Sequence, residues 1–350
     1  MYPIKGHPIL DIGKRETVTF SYEGHLITCE KGLTIAAALH QAGFPVHSHS
    51  LEGRNRSLEC GIGKCGACEM IVDGEVRRIC ITLVDDVREV YEIPADYEPR
   101  QSSISIGKAQ SVYKTDVAII GAGPAGLAAR EVLNEHNVDN LLIDNNDQVG
   151  GQFLMQTHQF FFFEKEKKYG GMRGFEIAKE LAGEDHSGIF LDSTVWDILE
   201  GKRLAVKNIK TEEIYFVDAG HLIIATGAVP FMPPFENDDV PGVYTAAVVQ
   251  KMMNIERTLL GKNVLTIGAG NIGYLTSYQL TQAGAKVKAI LEALPNEGGF
   301  PVQASRVRRL GIPIITSHQL LKAIPNENHD GITGAVVAES RNFEPVPGTE

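Results

Sequence analysis

Four cysteines carry the most specific chemistry in this 350-residue sequence: Cys60, Cys65, Cys68 and Cys80. The first three follow the spacing C-x4-C-x2-C and the fourth comes after a hairpin, the thiolate pattern of a plant-type [2Fe–2S] cluster. The chemistry explains the spacing. Two irons bridged by two sulfides need four thiolates converging on a small object. Three come from one loop that wraps it, and the fourth arrives from the end of a strand. Gly61, Gly63 and Gly66 fall between the ligands, where they let the loop take positive φ and turn N–H groups toward sulfur. A structural zinc site is the rival reading. Zinc sites more often pair two short cysteine knuckles, whereas the second half here is a single Cys. Cys29 stands apart on a predicted strand and reads as a small buried apolar residue. All five cysteines lie between positions 29 and 80, and such crowding in a chain expected to be cytosolic points to metal binding rather than to a disulfide framework.

Two glycine loops follow. Gly121-Ala122-Gly123-Pro124-Ala125-Gly126 comes directly after an apolar strand, 117–120, and opens a helix. The first Gly makes the turn, the second lets backbone approach a pyrophosphate, and the third permits close helix–strand packing, with the helix N-terminus facing the anion. Asp144 closes the next strand at the distance expected for a ribose hydroxyl partner. Val149-Gly150-Gly151-Gln152 and the turn Ala225-Thr226-Gly227 after the apolar run 222–224 add backbone that can approach the same ligand. The second loop is Gly268-Ala269-Gly270-Asn271-Ile272-Gly273, and Glu292 ends its following strand. An acid there favours NAD over NADP, because it would repel a 2′-phosphate. A nucleotide fold that binds another nucleotide, or none, stays open for this second unit.

The elements needed to hold these residues are legible. Residues 16–30 read as a hairpin turning at Glu23-Gly24, residues 33–42 as a short apolar helix stopped by Gly43 and Pro45, and residues 70–79 as a second hairpin turning at Asp73-Gly74. Strand pair, helix, cysteine loop, strand pair is the order of an α+β ferredoxin-like β-grasp domain, placed at residues 1–95. A Pro- and Ser-rich linker is expected over 96–113. Strand, glycine loop, helix, strand then occurs twice, which predicts α/β architecture with two Rossmann-like nucleotide-binding units at 114–245 and 246–350. The aromatic run Phe160, Phe161, Phe162 and Phe163 is read as core rather than as a flavin wall or partner surface, and His158 as a loop histidine rather than a group at a flavin edge.

Composition bounds the function. Hydrophobic residues make up 43% and charged residues 22%, and the formal net charge is −11. That balance argues against a nucleic-acid partner, which requires clustered Lys and Arg; the run Lys165, Glu166, Lys167, Lys168 reads as a solvated face. No segment is apolar for long enough to span a bilayer, and residues 1–12 lack a signal-peptide layout, so a cytoplasmic location is expected.

An N-terminal [2Fe–2S] domain followed by a glutathione-reductase-like FAD and NAD pair resembles the α subunits of sarcosine oxidase and related dye-linked dehydrogenases. That group includes opine oxidases, proline and hydroxyproline dehydrogenases and hydrogen cyanide synthase. The local marks are Glu59-Cys60-Gly61-Ile62-Gly63-Lys64-Cys65, Gly150-Gly151-Gln152, Gln156-Thr157-His158, Gly171-Met172-Arg173-Gly174 and Gly242-Val243-Tyr244-Thr245-Ala246. The resemblance implies a subunit that binds nucleotide cofactors and passes electrons, while a separate flavin-containing β subunit oxidises the amine. It implies that Cys60, Cys65, Cys68 and Cys80 ligate the cluster. It places FAD on Gly121, Gly123, Pro124, Ala125, Gly126, Asp144, Gly151, Gln152, Ala225, Thr226 and Gly227, and NAD on Gly268, Gly270, Asn271, Gly273 and Glu292. In that architecture the chain returns after the NAD domain to complete the FAD sheet. The sequence given ends at Glu350 before such a return, so the resemblance implies a C-terminally incomplete FAD domain: either the sequence is a fragment, or another polypeptide supplies the missing part. Thioredoxin reductases of the same fold use a C-x2-C pair in the NAD domain; with no Cys after Cys80, dithiol chemistry is excluded. Because the cofactor carries the hard chemistry, no catalytic side chain is expected. The reading is an electron relay between FAD and the [2Fe–2S] centre, exchanging electrons with a partner or a small-molecule donor or acceptor. A stand-alone NADH-dependent flavin reductase and a non-catalytic scaffold are the alternatives.

Overall fold

Two tight hairpins frame the N-terminal sheet. Thr17–Tyr22 pairs with His25–Glu30, and Glu69–Val72 with Glu75–Arg78. Both turn on an acid–glycine dipeptide with both residues at positive φ, Glu23 and Gly24 in one and Asp73 and Gly74 in the other, the twist that two-residue hairpins favour. Glu89–Tyr91 lies between the hairpins and completes a five-stranded sheet. Helix α1, Ile35–Ala42, starts at Thr34, whose hydroxyl accepts the Ala37 amide, and stops at Gly43 in the left-handed region. Its buried face joins Phe20, Leu33, Met70 and Ile79 in one core. Residues 2–98, 111–160 and 167–350 are described by this computed structural model.

Residues 98–228 form one of two compact units. The sheet runs in the order Ile189–Phe190, Asn140–Ile143, Ser111–Ile120, Ile214–Ile224, Arg203–Asn208, Ser193–Leu199, with the first four strands parallel and the last two antiparallel. Alternation along Ser111–Ile120 sends Val117 and Ile119 toward helices α2 (Pro124–Glu135) and α3 (Gly174–Ala182), and Ala118 into a second core with Leu204, Val206 and Val217. The strand begins at Ser111, earlier than the expected linker end at 113, because Val112 and Tyr113 pair with Phe216 and Val217. Residues 99–110 of that linker lie outside the described residues.

Residues 229–350 pack with residues 1–97 as the other unit. Asn263–Ile267, Lys286–Leu291 and Ile314–Ile315 form a parallel sheet served by α4 (Ala246–Asn254), α5 (Asn271–Gln282) and α6 (Pro301–Arg309). His318–Pro325 and Ile332–Arg341 follow as a hairpin. Residues 229–245, which the sequence grouped with the first glycine loop, belong to this unit. The reason is contact: Glu236 bridges to Lys322, and Thr245 and Tyr244 meet the cysteine domain.

Candidate cofactor sites

The cysteine loop is held open by backbone geometry. Gly61, Gly63 and Gly66 all have positive φ, between 66° and 77°. At Gly63 a methyl group would also sit 2.5 Å from the Ile81 side chain. The four thiols converge as the spacing requires. Cys60 lies beside Cys65 and Cys80, and Cys80 beside Cys68. These contacts hold Cys60 and Cys68 below the ordinary thiol range and push Cys65 and Cys80 above it. The Lys64 amide points at the Cys60 sulfur, 3.4 Å away, and the Ala67 amide also favours the charged form of Cys65. Among the described residues no three His, Cys, Asp or Glu side chains are placed to hold a single metal ion. The contacts run in a chain from Cys65 through Cys60 and Cys80 to Cys68, so the four thiols present a shared concave set that a two-iron cluster can occupy. Cys60, Cys68 and Cys80 are buried and Cys65 is exposed, at the edge of a cavity of about 300 Å³ that Glu59, Asp238, Asp239 and Thr245 also line. Cys29 is buried in the core of the cysteine domain, and burial pushes its thiol up to about 11.

The first glycine loop is built for close approach. Gly121 has φ 109°, and a methyl there would overlap the Ala225 carbonyl; one at Gly126 would overlap the Gly121 carbonyl. Gly123 differs: a methyl there meets nothing within 4 Å. Gly123 is also the N-cap of α2, with no side chain capping the helix and Pro124 following. The amides that open this helix are therefore available to an anion on a face where only glycine leaves full clearance. Gly151, at φ 49°, packs against Gly123, with its own Cβ position 2.9 Å from the Gly123 Cα. The Ala225 amide donates to the Ile120 carbonyl at 2.8 Å, which brings Ala225, Thr226 and Gly227 beside the loop. Gln152 donates to the Ala228 carbonyl. Asp144 is buried, and its Oδ2 accepts the Ala122 amide at 2.6 Å while Oδ1 accepts from Asn146. Ala125 is exposed on the first turn of α2.

The second loop repeats that layout. Gly268 has φ 98°, Gly270 is the uncapped N-cap of α5 with open space at its Cβ position, and a methyl at Gly273 would overlap the Gly268 carbonyl. Glu292 Oε2 accepts the Ala269 amide at 2.9 Å, as Asp144 accepts Ala122. One contact has no counterpart in the first loop: the Asn271 side-chain oxygen accepts the Phe300 amide at 2.8 Å. Residues 297–300 thus fold back on this loop, with the Gly298 and Gly299 amides on the Ala269 carbonyl.

Phe160 packs into the core of residues 98–228, as expected of the aromatic run, and His158 stacks beside it at 4.5 Å. Phe161, Phe162 and Phe163 lie outside the described residues. Three residues touch the cysteine loop in a way the sequence reading did not anticipate, Thr245 having been named there only as part of a family mark. Thr245 donates to the Glu59 carbonyl, Val248 packs on Gly61, and Lys251 reaches two loop carbonyls. They lie more than 150 positions from the cysteines, and no local pattern announces such contacts. The antiparallel strands Ser193–Leu199 and Arg203–Asn208 were also missed.

Comparison with known proteins identifies the families to which these two regions are similar. Residues 115–344 match the family described as pyridine nucleotide-disulphide oxidoreductase, and residues 15–92 match a 2Fe-2S iron-sulfur cluster binding domain. The chain is 23% identical over 248 residues to the alpha chain of sarcosine oxidase from Rhizobium meliloti (strain 1021), covering 66% of this chain and 24% of that protein. It is 26% identical over 188 residues to an opine oxidase polypeptide of Agrobacterium tumefaciens (strain Ach5), covering 51% and 36%. The chain thus spans well under half the length of either relative. Among solved structures, L-proline dehydrogenase from P. horikoshii shares the fold with a TM-score of 0.66 at 21% identity, over 92% of this chain and 58% of that one.

Proposed function

The chain belongs to the pyridine nucleotide-disulphide oxidoreductase family, and on that premise we propose that it is the electron-transferring iron–sulfur flavoprotein subunit of an amine or amino-acid oxidase or dye-linked dehydrogenase. Its cofactors are FAD and a [2Fe–2S] cluster. FAD exchanges electrons in pairs or singly and the cluster one at a time, which is the chemistry a relay between a two-electron donor and a one-electron acceptor requires.

The residues divide the work. Cys60, Cys65, Cys68 and Cys80 hold the cluster, and amides such as that of Lys64 favour negative charge on sulfur. The α2 N-terminus takes the FAD pyrophosphate over Gly123, and Asp144 takes a ribose hydroxyl with acceptor capacity left beside Ala122 and Asn146. Gly151, Gln152 and Thr226 line the approach. Exposed Cys65 makes the cavity beside Cys60 the natural edge for electron exchange with a partner. The observation that carries the reading is the convergence of four thiols on a chain that also presents an uncapped glycine loop with open space at Gly123. Sarcosine-, proline- and opine-type amines are the proposed substrate classes, oxidised on a separate flavin-containing β subunit.

A second reading, an NADH-dependent flavin reductase feeding an external acceptor, draws support from the second loop, where Gly270 and Glu292 repeat the geometry of Gly123 and Asp144. One experiment separates the two. Purified protein is assayed with a redox dye and either NADH or an amine, alone and after co-expression with its flavoprotein partner. Amine–dye activity that appears only with the partner supports the subunit reading. NADH–dye activity of the isolated chain, with no amine activity in the complex, would replace it with the reductase.

A further inference from the structure

Lys251 occupies a position that neither the cysteine motif nor the glycine loops explain. It lies on α4, half-buried, and its Nζ donates to the carbonyls of Gly61 and Cys80, each at 2.8 Å. One carbonyl follows the first cysteine and the other belongs to the fourth, so a single ammonium ties both ends of the cysteine motif. The helix is fixed in that place at two further points: Thr245 donates to the Glu59 carbonyl at 3.2 Å, and a Cβ at Gly61 would stand 3.2 Å from Val248. Arg78 is another cation at the loop and donates to the Gly63 carbonyl, but it is paired with Glu69, which offsets its charge. Both short bonds of Lys251 go to neutral carbonyls.

We propose that Lys251 is a positioning residue that sets the reduction potential of the cluster, holding the loop closed and stabilising the electron added on reduction. The physics is simple. Reduction adds one electron to the group held by the four thiolates and breaks no bond; a fixed ammonium attracts that added charge, and partial burial limits screening by salt. The electron comes from the flavin in the relay proposed above, and from dithionite in the test. The inference rests on the assignment of the four cysteines to a cluster.

The test is a mediator-poised dithionite titration of the whole protein, followed by EPR, for wild type, Lys251→Met and Lys251→Arg. Iron and sulfide analysis of the wild type comes first; absent iron would overturn the cluster assignment itself, a result distinct from failure of the lysine proposal. With the cluster present, Lys251→Met is expected to cut the reduced-to-oxidised ratio at the wild-type midpoint about tenfold, a fall of about 59 mV for a one-electron couple. Lys251→Arg should restore most of it. An unchanged midpoint in Lys251→Met overturns the proposal. Should that variant fail to assemble the cluster, Lys251→Gln is titrated instead: a lower midpoint supports the proposal, while an unchanged midpoint, or loss of the cluster there too, assigns Lys251 a purely structural role and overturns it.

Discussion

Glu256 Oε2 accepts the backbone amide of Thr34 at 2.9 Å, joining the segment after α4 to the cap of α1 across 222 residues of sequence. The carboxyl is buried, and desolvation pushes its pKa up from 4.5 despite the opposing pull of Lys251 and the Thr34 amide. The folded chain therefore keeps this proton to higher pH than the unfolded chain does. Its contribution to stability is most favourable below pH 4.5, declines as pH rises from there to the raised folded-state value, and is flat above it. Glu256→Gln keeps an acceptor for Thr34 and removes the titration. Urea unfolding at a series of pH values should show wild type losing stability relative to the variant across that window. Parallel curves would mean that the buried carboxylate carries no net penalty.

Cys65→Ala should remove the cluster and leave the fold. The side chain is exposed and sits on a loop whose shape depends on glycines rather than on packing of this thiol. Far-ultraviolet circular dichroism and flavin content are expected to match wild type, while iron per chain and the EPR signal of the reduced protein fall to background. Full-strength cluster absorbance in the variant would show that another residue is the ligand.

The parts of the molecule that follow local rules were legible in the sequence. Acid–glycine dipeptides mark both hairpins of the cysteine domain because positive φ at two successive residues is demanding, and glycine loops between a strand and a helix mark both nucleotide units for the same kind of reason. Strands Ser193–Leu199 and Arg203–Asn208 were not legible. Trp196, Ile198 and Leu199 are all exposed, so the alternation of buried and solvated residues that betrays a strand is blurred there. The boundary at 228 was hidden because residues 229–245 carry no regular strand or helix and are placed by long-range contacts such as Asn237 to Ala323. Lys251 is the sharpest case: its partners are backbone carbonyls, which no residue type advertises.

The glycines of the first loop should separate folding from flavin binding. A methyl at Gly126 overlaps the Gly121 carbonyl, a backbone atom that cannot yield cheaply. Gly126→Ala should therefore destabilise the chain by about 1–3 kcal/mol, the usual cost of overpacking. A methyl at Gly123 meets no protein atom within 4 Å, and the backbone there has φ −77°, which alanine adopts freely. Gly123→Ala should fold with wild-type stability yet purify with much less FAD, because the methyl occupies the space the pyrophosphate needs. Equal flavin content in wild type and Gly123→Ala would place the pyrophosphate elsewhere.

Glu292 decides whether the second loop reads a ribose. Its carboxylate accepts two backbone amides, Ala269 at 2.9 Å and Leu294 at 3.0 Å, and a carboxylate offers about four acceptor sites, so two remain for a ribose diol. Removing a charged acceptor from such a contact costs about 1.5–3 kcal/mol, which corresponds to roughly 10- to 100-fold in affinity. Glu292→Gln should weaken NADH binding in that range, and because the repulsion of a 2′-phosphate goes with the charge, it should narrow any preference for NADH over NADPH. Gly270→Ala should weaken both nucleotides alike, since a methyl there fills space next to the uncapped start of α5 without touching the protein. Fluorescence titration of each variant with NADH and NADPH makes the comparison. Identical dissociation constants for wild type and Glu292→Gln would leave the carboxylate as a strut for the Ala269 amide and assign the loop a structural role.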